Sequence, residues 1–166
     1  DTMAGRITKS EQQLEPDPKY GDKVLARFIN SLMLGGNKAT TTRIVYKAFD
    51  EIERRIAKEP LEGDIKTGIE VFHQALDRVR PSVEVRSKRV GGANYQVPIQ
   101  INRRRQQSMT FRWIITAARE DKGKPMHLRL AKELLDAARG EGKAVQTRTN
   151  THRMAEANKA FAHFAW

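Results

Sequence analysis

Between Glu84 and Glu120 the sequence holds no carboxylate, yet Arg86, Lys88, Arg89, Arg103, Arg104, Arg105, Arg112 and Arg119 all fall inside that stretch. Arginine outnumbers lysine there, and its planar fork suits phosphate and base stacking better than plain solvation requires. Cations segregated in this way are the footprint of a polyanionic partner, with nucleic acid first and an anionic membrane second. Other chemistries find less support. His73, His127, His152 and His163 show no HExxH spacing, the chain has no cysteine for a thiolate nucleophile or zinc site, and no serine stands in a nucleophile elbow. Catalytic residues, metal ligands and cofactors are therefore not expected. Glu133 and Asp136 lie on one helical side beside Lys132 and Arg139, and read as a solvated, salt-bridged face rather than an acid–base pair.

Two elements must position the cations. Val83 and Val85, then Tyr95, Val97, Ile99 and Ile101, alternate with mostly polar residues, which is the period of a half-exposed strand. Gly91-Gly92-Ala93-Asn94 between the runs supplies turn chemistry, so a hairpin is expected at about 83–101. Pro98 cannot donate to a ladder and favours a two-stranded arm over the middle of a sheet. Tyr95 is a candidate for stacking on an unpaired base, with packing against its cross-strand neighbour as the commoner role of such a residue. Asn102 can then cap a helix that opens with three arginines. Positive charge at a helix N-terminus opposes the macrodipole by up to about 1 kcal/mol per residue at low salt, and a bound phosphate would reverse that sign.

The remaining periodicities are helical. Asp22 to Leu34 carries Val24, Leu25, Phe28, Ile29 and Leu32, capped by Asp22 and stopped by Gly35-Gly36. Asn37 opens a second helix with Ile44, Val45, Ala48, Phe49, Ile52 and Ile56 inside, ended by Pro60. Gly35-Gly36-Asn37-Lys38 follows a helix and lacks the Gly-Lys-Ser/Thr ending of a phosphate loop. Asp64 is expected to cap a third helix with a seam of Ile65, Ile69, Phe72, Leu76 and Val79, beside which His73 is a boundary residue. Pro125 opens a fifth helix with Leu128, Leu130, Ala131, Leu134, Leu135 and Ala138 inside. A loop over Glu141 to Asn150 precedes a final helix from about Thr151 with Met154, Ala157, Phe161 and Phe164 inward.

These patterns predict a mainly α fold, a bundle of about six helices with a protruding two-stranded β-hairpin arm between the third and fourth. Residues 1–19, with Pro16 and Pro18, read as an extended tail in which Arg6 and Lys9 can follow a phosphate backbone, and residues 20–166 as a single helical domain. At 166 residues and a net charge of +11, from 31 Lys+Arg against 20 Asp+Glu, the chain is long enough for one well-buried core and basic enough to need an acidic partner. No apolar run approaches a membrane span, and no membrane partner is expected.

The stretch Val83-Glu-Val-Arg-Ser-Lys-Arg-Val-Gly-Gly-Ala-Asn-Tyr-Gln-Val-Pro98 and the stretch His152-Arg-Met-Ala-Glu-Ala-Asn-Lys-Ala-Phe-Ala-His-Phe164 resemble the two signature blocks of the ribosomal protein S-seven family. The likeness runs from Pro16 to Trp166. It implies a helical bundle with a protruding ribbon that binds the head domain of small-subunit rRNA and nucleates head assembly. It also places the ribbon and last helix near the exit-site tRNA and the mRNA path, beside ribosomal protein S-eleven and other head proteins. Family RNA contacts carry over to Lys38, Arg86, Lys88, Arg89, Arg103, Arg104, Arg112, Lys143, Arg148 and Arg153. Arg105 joins them from its place in the arginine run. The chain departs from the bacterial pattern at Gln146-Thr147-Arg148-Thr149-Asn150, where two cations are missing, and at Ala165. Gly35-Gly36-Asn37-Lys38, Phe72-His73-Gln74-Ala75-Leu76 and Arg103-Arg104-Arg105 look more like mitochondrial members. Together with a first residue that is not methionine, they lead to an expectation of the mitochondrial matrix, with the bacterial cytoplasm as the alternative. Two rival functions remain open: an architectural DNA-binding protein with a basic arm, and an RNA-modifying enzyme.

Overall fold

The computed structural model of the protein describes residues 10–166, so Arg6 and Lys9 lie outside the described residues. The chain divides into two compact units, residues 1–43 and 44–166. In the first unit a single helical turn, α1 (Ser10–Gln13), stands within the stretch expected to be extended. Asp17 is 3 % exposed, and its Oδ2 accepts the N–H groups of Lys19 and Tyr20 at 3.1 and 3.0 Å. The Pro-Asp-Pro sequence therefore makes a fixed turn around a buried carboxylate. Helix α2 (Lys23–Leu32) starts as expected, with Asp22 Oδ1 accepting the Leu25 N–H at 3.0 Å, and it buries Leu25, Ala26, Phe28, Ile29 and Leu32. Gly35 and Gly36 take φ of +60° and +75°, which non-glycine residues resist, before α3 (Lys38–Lys58) begins.

In the second unit, the remainder of α3 buries Val45, Ala48, Phe49, Ile52 and Ile56. Helix α4 (Gly68–Val79) begins later than its apolar pattern suggests. Its cap is Thr67, not Asp64: the Thr67 hydroxyl accepts the Glu70 N–H while the Glu70 carboxylate accepts the Thr67 N–H, and Asp64 instead pairs with Lys66 at 3.2 Å. The reciprocal box satisfies two orphan donors where Asp64 alone would satisfy one. Ile65 consequently sits before the helix, and the buried face is Val71, Phe72, Ala75, Leu76 and Val79. Helices α5 (Arg103–Glu120), α6 (Met126–Ala138) and α7 (Gly142–Ala157) complete the bundle, with α6 packed against α4, α5 and α7.

Three expectations fail around α7, two of them at its start. Residues 142–150 are its opening turns and not a loop, and Glu133 is 7 % exposed rather than solvated. The two facts have one cause: Glu133 Oε1 reaches across from α6 to accept the Ala144 N–H at 2.9 Å, doing for α7 what its own Glu141 does not. At the other end, α7 stops at Ala157, and a 3-10 helix (Lys159–Phe164) follows. Met154, expected inside, is 50 % exposed.

Strands β1 (Val83–Val90) and β2 (Ala93–Gln100) form one antiparallel pair between α4 and α5. The turn is the two residues Gly91-Gly92, at φ +58° and +84°, the positive-φ pair that a tight hairpin turn demands. The arm is braced by α7 and by the 3-10 helix.

Candidate nucleic-acid interface

Register decides what each basic side chain of the arm can do. With Val90 opposite Ala93, the ladder places Glu84, Arg86 and Lys88 across from Ile99, Val97 and Tyr95, and Val85, Ser87 and Arg89 across from Pro98, Gln96 and Asn94. Directly opposed residues share a face, so Val83 and Val85 lie on the side away from Tyr95, Val97 and Ile99. The buried residues of the arm are Glu84, 4 % exposed, and Val97, fully buried.

A carboxylate so enclosed needs partners. Arg86 Nε donates to Glu84 Oε1, and Arg105 Nε, from the first turns of α5, donates to Oε2 at 2.9 Å. Burial alone would raise the Glu84 carboxyl, but Arg105 and Arg86 outweigh it and hold the group below the ordinary carboxylate value. Arg86 and Arg105, expected as RNA contacts, thus spend one edge of each guanidinium welding strand to helix. Their side chains nonetheless stay 47 % and 37 % exposed.

Lys88 and Tyr95 are taken up further along the same face. Lys88 Nζ donates to the Phe164 carbonyl at 2.7 Å and lies 4.6 Å from the Trp166 ring centre. The Tyr95 ring meets Phe161 and Phe164 at centroid distances of 5.1 and 5.0 Å. Tyr95 thus belongs to an aromatic cluster that fastens the 3-10 helix to the arm, a contact beyond its cross-strand neighbour Lys88.

Helix α7 pins the arm's root. Arg148 Nε donates to the Arg80 carbonyl at 3.1 Å, and His152 Nε2 accepts the Ser82 N–H at 3.2 Å. Burial, with Arg148 beside it, keeps the His152 ring below its ordinary value, in the neutral form that can accept. Lys143 lies 3.5 Å from Glu120.

The other expected contacts lie at the surface. Arg89, Arg103, Arg112 and Arg153 are exposed and have no ion-pair partner among the described residues, and Arg104 is exposed as well. Asn102 caps α5 as expected, its Oδ1 accepting the Arg105 N–H at 2.9 Å. Arg105, Arg112 and Arg119 recur every seven residues and so share one side of α5. In the first unit, Lys38 is exposed at the start of α3.

Glu84, His152 and Glu133 are the residues that sequence reasoning missed. The first was findable: counting outward from a two-residue Gly91-Gly92 turn pairs Glu84 with Ile99 and puts it on the Val97 face. The other two act across helices and leave no local signal. Among the described residues no cluster of acids and histidines could hold a metal ion, and no helix is long and apolar enough to cross a membrane.

The hairpin and the helix that follows it carry their arginines in a stretch with no carboxylate between Glu84 and Glu120. The family profile described as Ribosomal protein S7p/S5e matches residues 4–159. A protein of Rhodopirellula baltica is 55 % identical over 162 residues, 98 % of this chain and 99 % of the relative, and one of Ruegeria pomeroyi is 49 % identical over 99 % of this chain and all of the relative. One of Methylobacterium radiotolerans is 51 % identical over the same shares, and all three carry the name small ribosomal subunit protein uS7. The chain belongs to the Ribosomal protein S7p/S5e family. These relatives are bacterial, and they lend the mitochondrial expectation no support.

Proposed function

We propose that the protein is a structural constituent of the small ribosomal subunit, a ribonucleoprotein component of translation that binds the head domain of the small-subunit rRNA directly. In this role it nucleates head assembly, and its arm, α7 and 3-10 helix line the tRNA exit site and the mRNA path beside ribosomal protein S-eleven. The observation that carries the proposal is the exposed cation set Arg89, Arg103, Arg112 and Arg153, without an ion-pair partner among the described residues, in a chain whose net charge is +11. It finds support in the relatives' shared name and in the start of α5, where arginines stand beside helix N–H groups and a phosphate would meet both. Bacterial relatives favour the bacterial cytoplasm as its compartment. Arg86, Lys88, Tyr95 and Arg105 act chiefly as the framework that fixes the arm, and Arg148 and His152 hold its root.

The experiment is a competition. Labelled small-subunit rRNA is bound by the full chain and challenged with unlabelled rRNA or with random duplex DNA. Displacement by rRNA at far lower concentration is expected. Equal displacement would favour an architectural DNA-binding protein instead.

A further inference from the structure

We infer that the arm reads RNA with one face only, the face bearing Ser87, Arg89, Asn94 and Gln96, through hydrogen bonds to ribose hydroxyls and base edges in an RNA minor groove. The inference rests on the RNA-binding function proposed above and narrows it to a surface and a mode. Ser87 stands opposite Gln96, and Arg89 opposite Asn94, so the four side chains make a compact patch at the distal end of the ribbon. Neighbouring strands are about 4.8 Å apart and alternate residues about 6.6 Å apart, which sets the scale of that patch. All four residues are exposed, and none makes a side-chain hydrogen bond or ion pair with another described residue.

The reverse face has nothing comparable to offer. Its root is occupied by the Glu84, Arg86 and Arg105 weld, and its distal part by Lys88 and Tyr95 under Phe161, Phe164 and Trp166. The sequence suggests a positive ribbon, whereas folding leaves Arg89 beside the neutral hydrogen-bonding groups of Ser87, Asn94 and Gln96 at the distal end of the open side. That composition suits a particular target. Amide and hydroxyl side chains both donate and accept, as the ribose 2′-OH does. The minor groove of an A-form helix is wide and shallow and displays those hydroxyls with base edges, while its major groove is too deep and narrow for a ribbon to read. The tip does not obstruct approach, since Gly91 and Gly92 present no side chain.

The test uses the full chain and a small-subunit rRNA transcript. The variant Ser87→Ala/Asn94→Ala/Gln96→Ala is expected to lose about tenfold or more in affinity, from three hydrogen-bonding groups, with an unchanged dependence on salt. It is also expected to lose much of its preference for an RNA duplex over the DNA duplex of the same sequence. Gln96→Glu, a single exposed change, is the second variant, and it should weaken binding while the thermal unfolding curve stays in place. Retained affinity in the triple variant would overturn the face assignment while leaving RNA binding intact. A parent protein that binds random duplex DNA as well as rRNA would remove the underlying function instead.

Discussion

Glu84 shows how a single acid in a basic stretch changes the meaning of its neighbours. It is nearly enclosed, and it ties Arg86 of β1 to Arg105 of α5. Glu84→Gln keeps the shape and removes the charge, so it should cost about 1–3 kcal/mol of stability, measured by urea unfolding at neutral pH. The sign of the pH dependence follows from the depressed carboxyl: its contribution is complete above the unfolded value and is lost as pH falls through the folded one. The parent's advantage over Glu84→Gln should therefore shrink on acidification below the ordinary value of 4.5. Arg103 and Arg112, unlike Arg105, are free to meet phosphates. Replacing either by alanine should reduce the log–log salt slope of rRNA binding by up to roughly 1, whereas Arg105→Ala should lower stability more than slope. The charge segregation was readable directly from residue types. The division of those charges into welded and free was not, because it depends on which face each strand residue takes.

At the scale of elements, two close approaches determine where helices begin. A Cβ on Gly68 would lie 2.7 Å from Phe49 Cβ, so α4 can start against α3 only with glycine there. Gly68→Ala should cost about 1–3 kcal/mol through overpacking, read as a lower unfolding midpoint with an unchanged denaturant slope. The second approach is that of α6 to the start of α7, where Glu133 caps and Gly142 takes φ +90°, and where an added Cβ would lie 3.0 Å from Asp136 Cβ. Burial raises the Glu133 carboxyl above its ordinary value, against the lowering effect of the Ala144 N–H. A raised carboxyl favours the fold below the unfolded value and penalises it as pH climbs through the folded one. Glu133→Gln retains an acceptor without the charge, so it should be at least as stable as the parent at pH 7, with the gap closing toward pH 4. A higher parent midpoint at pH 7 would contradict that. Helix existence and the apolar faces of α2, α3 and α6 were legible because 3.6-residue periodicity is local. The starts of α4 and α7 were not, since a capping box competes with Asp64 in one case and a side chain from another helix supplies the cap in the other.

For the whole molecule, a mainly α fold with a hairpin between α4 and α5 was foreseeable from the change in hydrophobic period and the Gly91-Gly92 turn. The segment after α7 was harder, because Phe161 and Phe164 continue a helical spacing on paper but turn as a 3-10 helix to meet Tyr95. The claim on which the function rests is that free arginines on the arm and α5 meet phosphodiesters of structured rRNA. Its most direct measurement is the affinity of the parent and of Arg89→Ala/Arg103→Ala/Arg112→Ala for small-subunit rRNA across a salt series. A steep parent slope that flattens by roughly 2 to 3 in the variant is the expected result. Parallel slopes, or a parent affinity no greater for rRNA than for random duplex DNA, would contradict it.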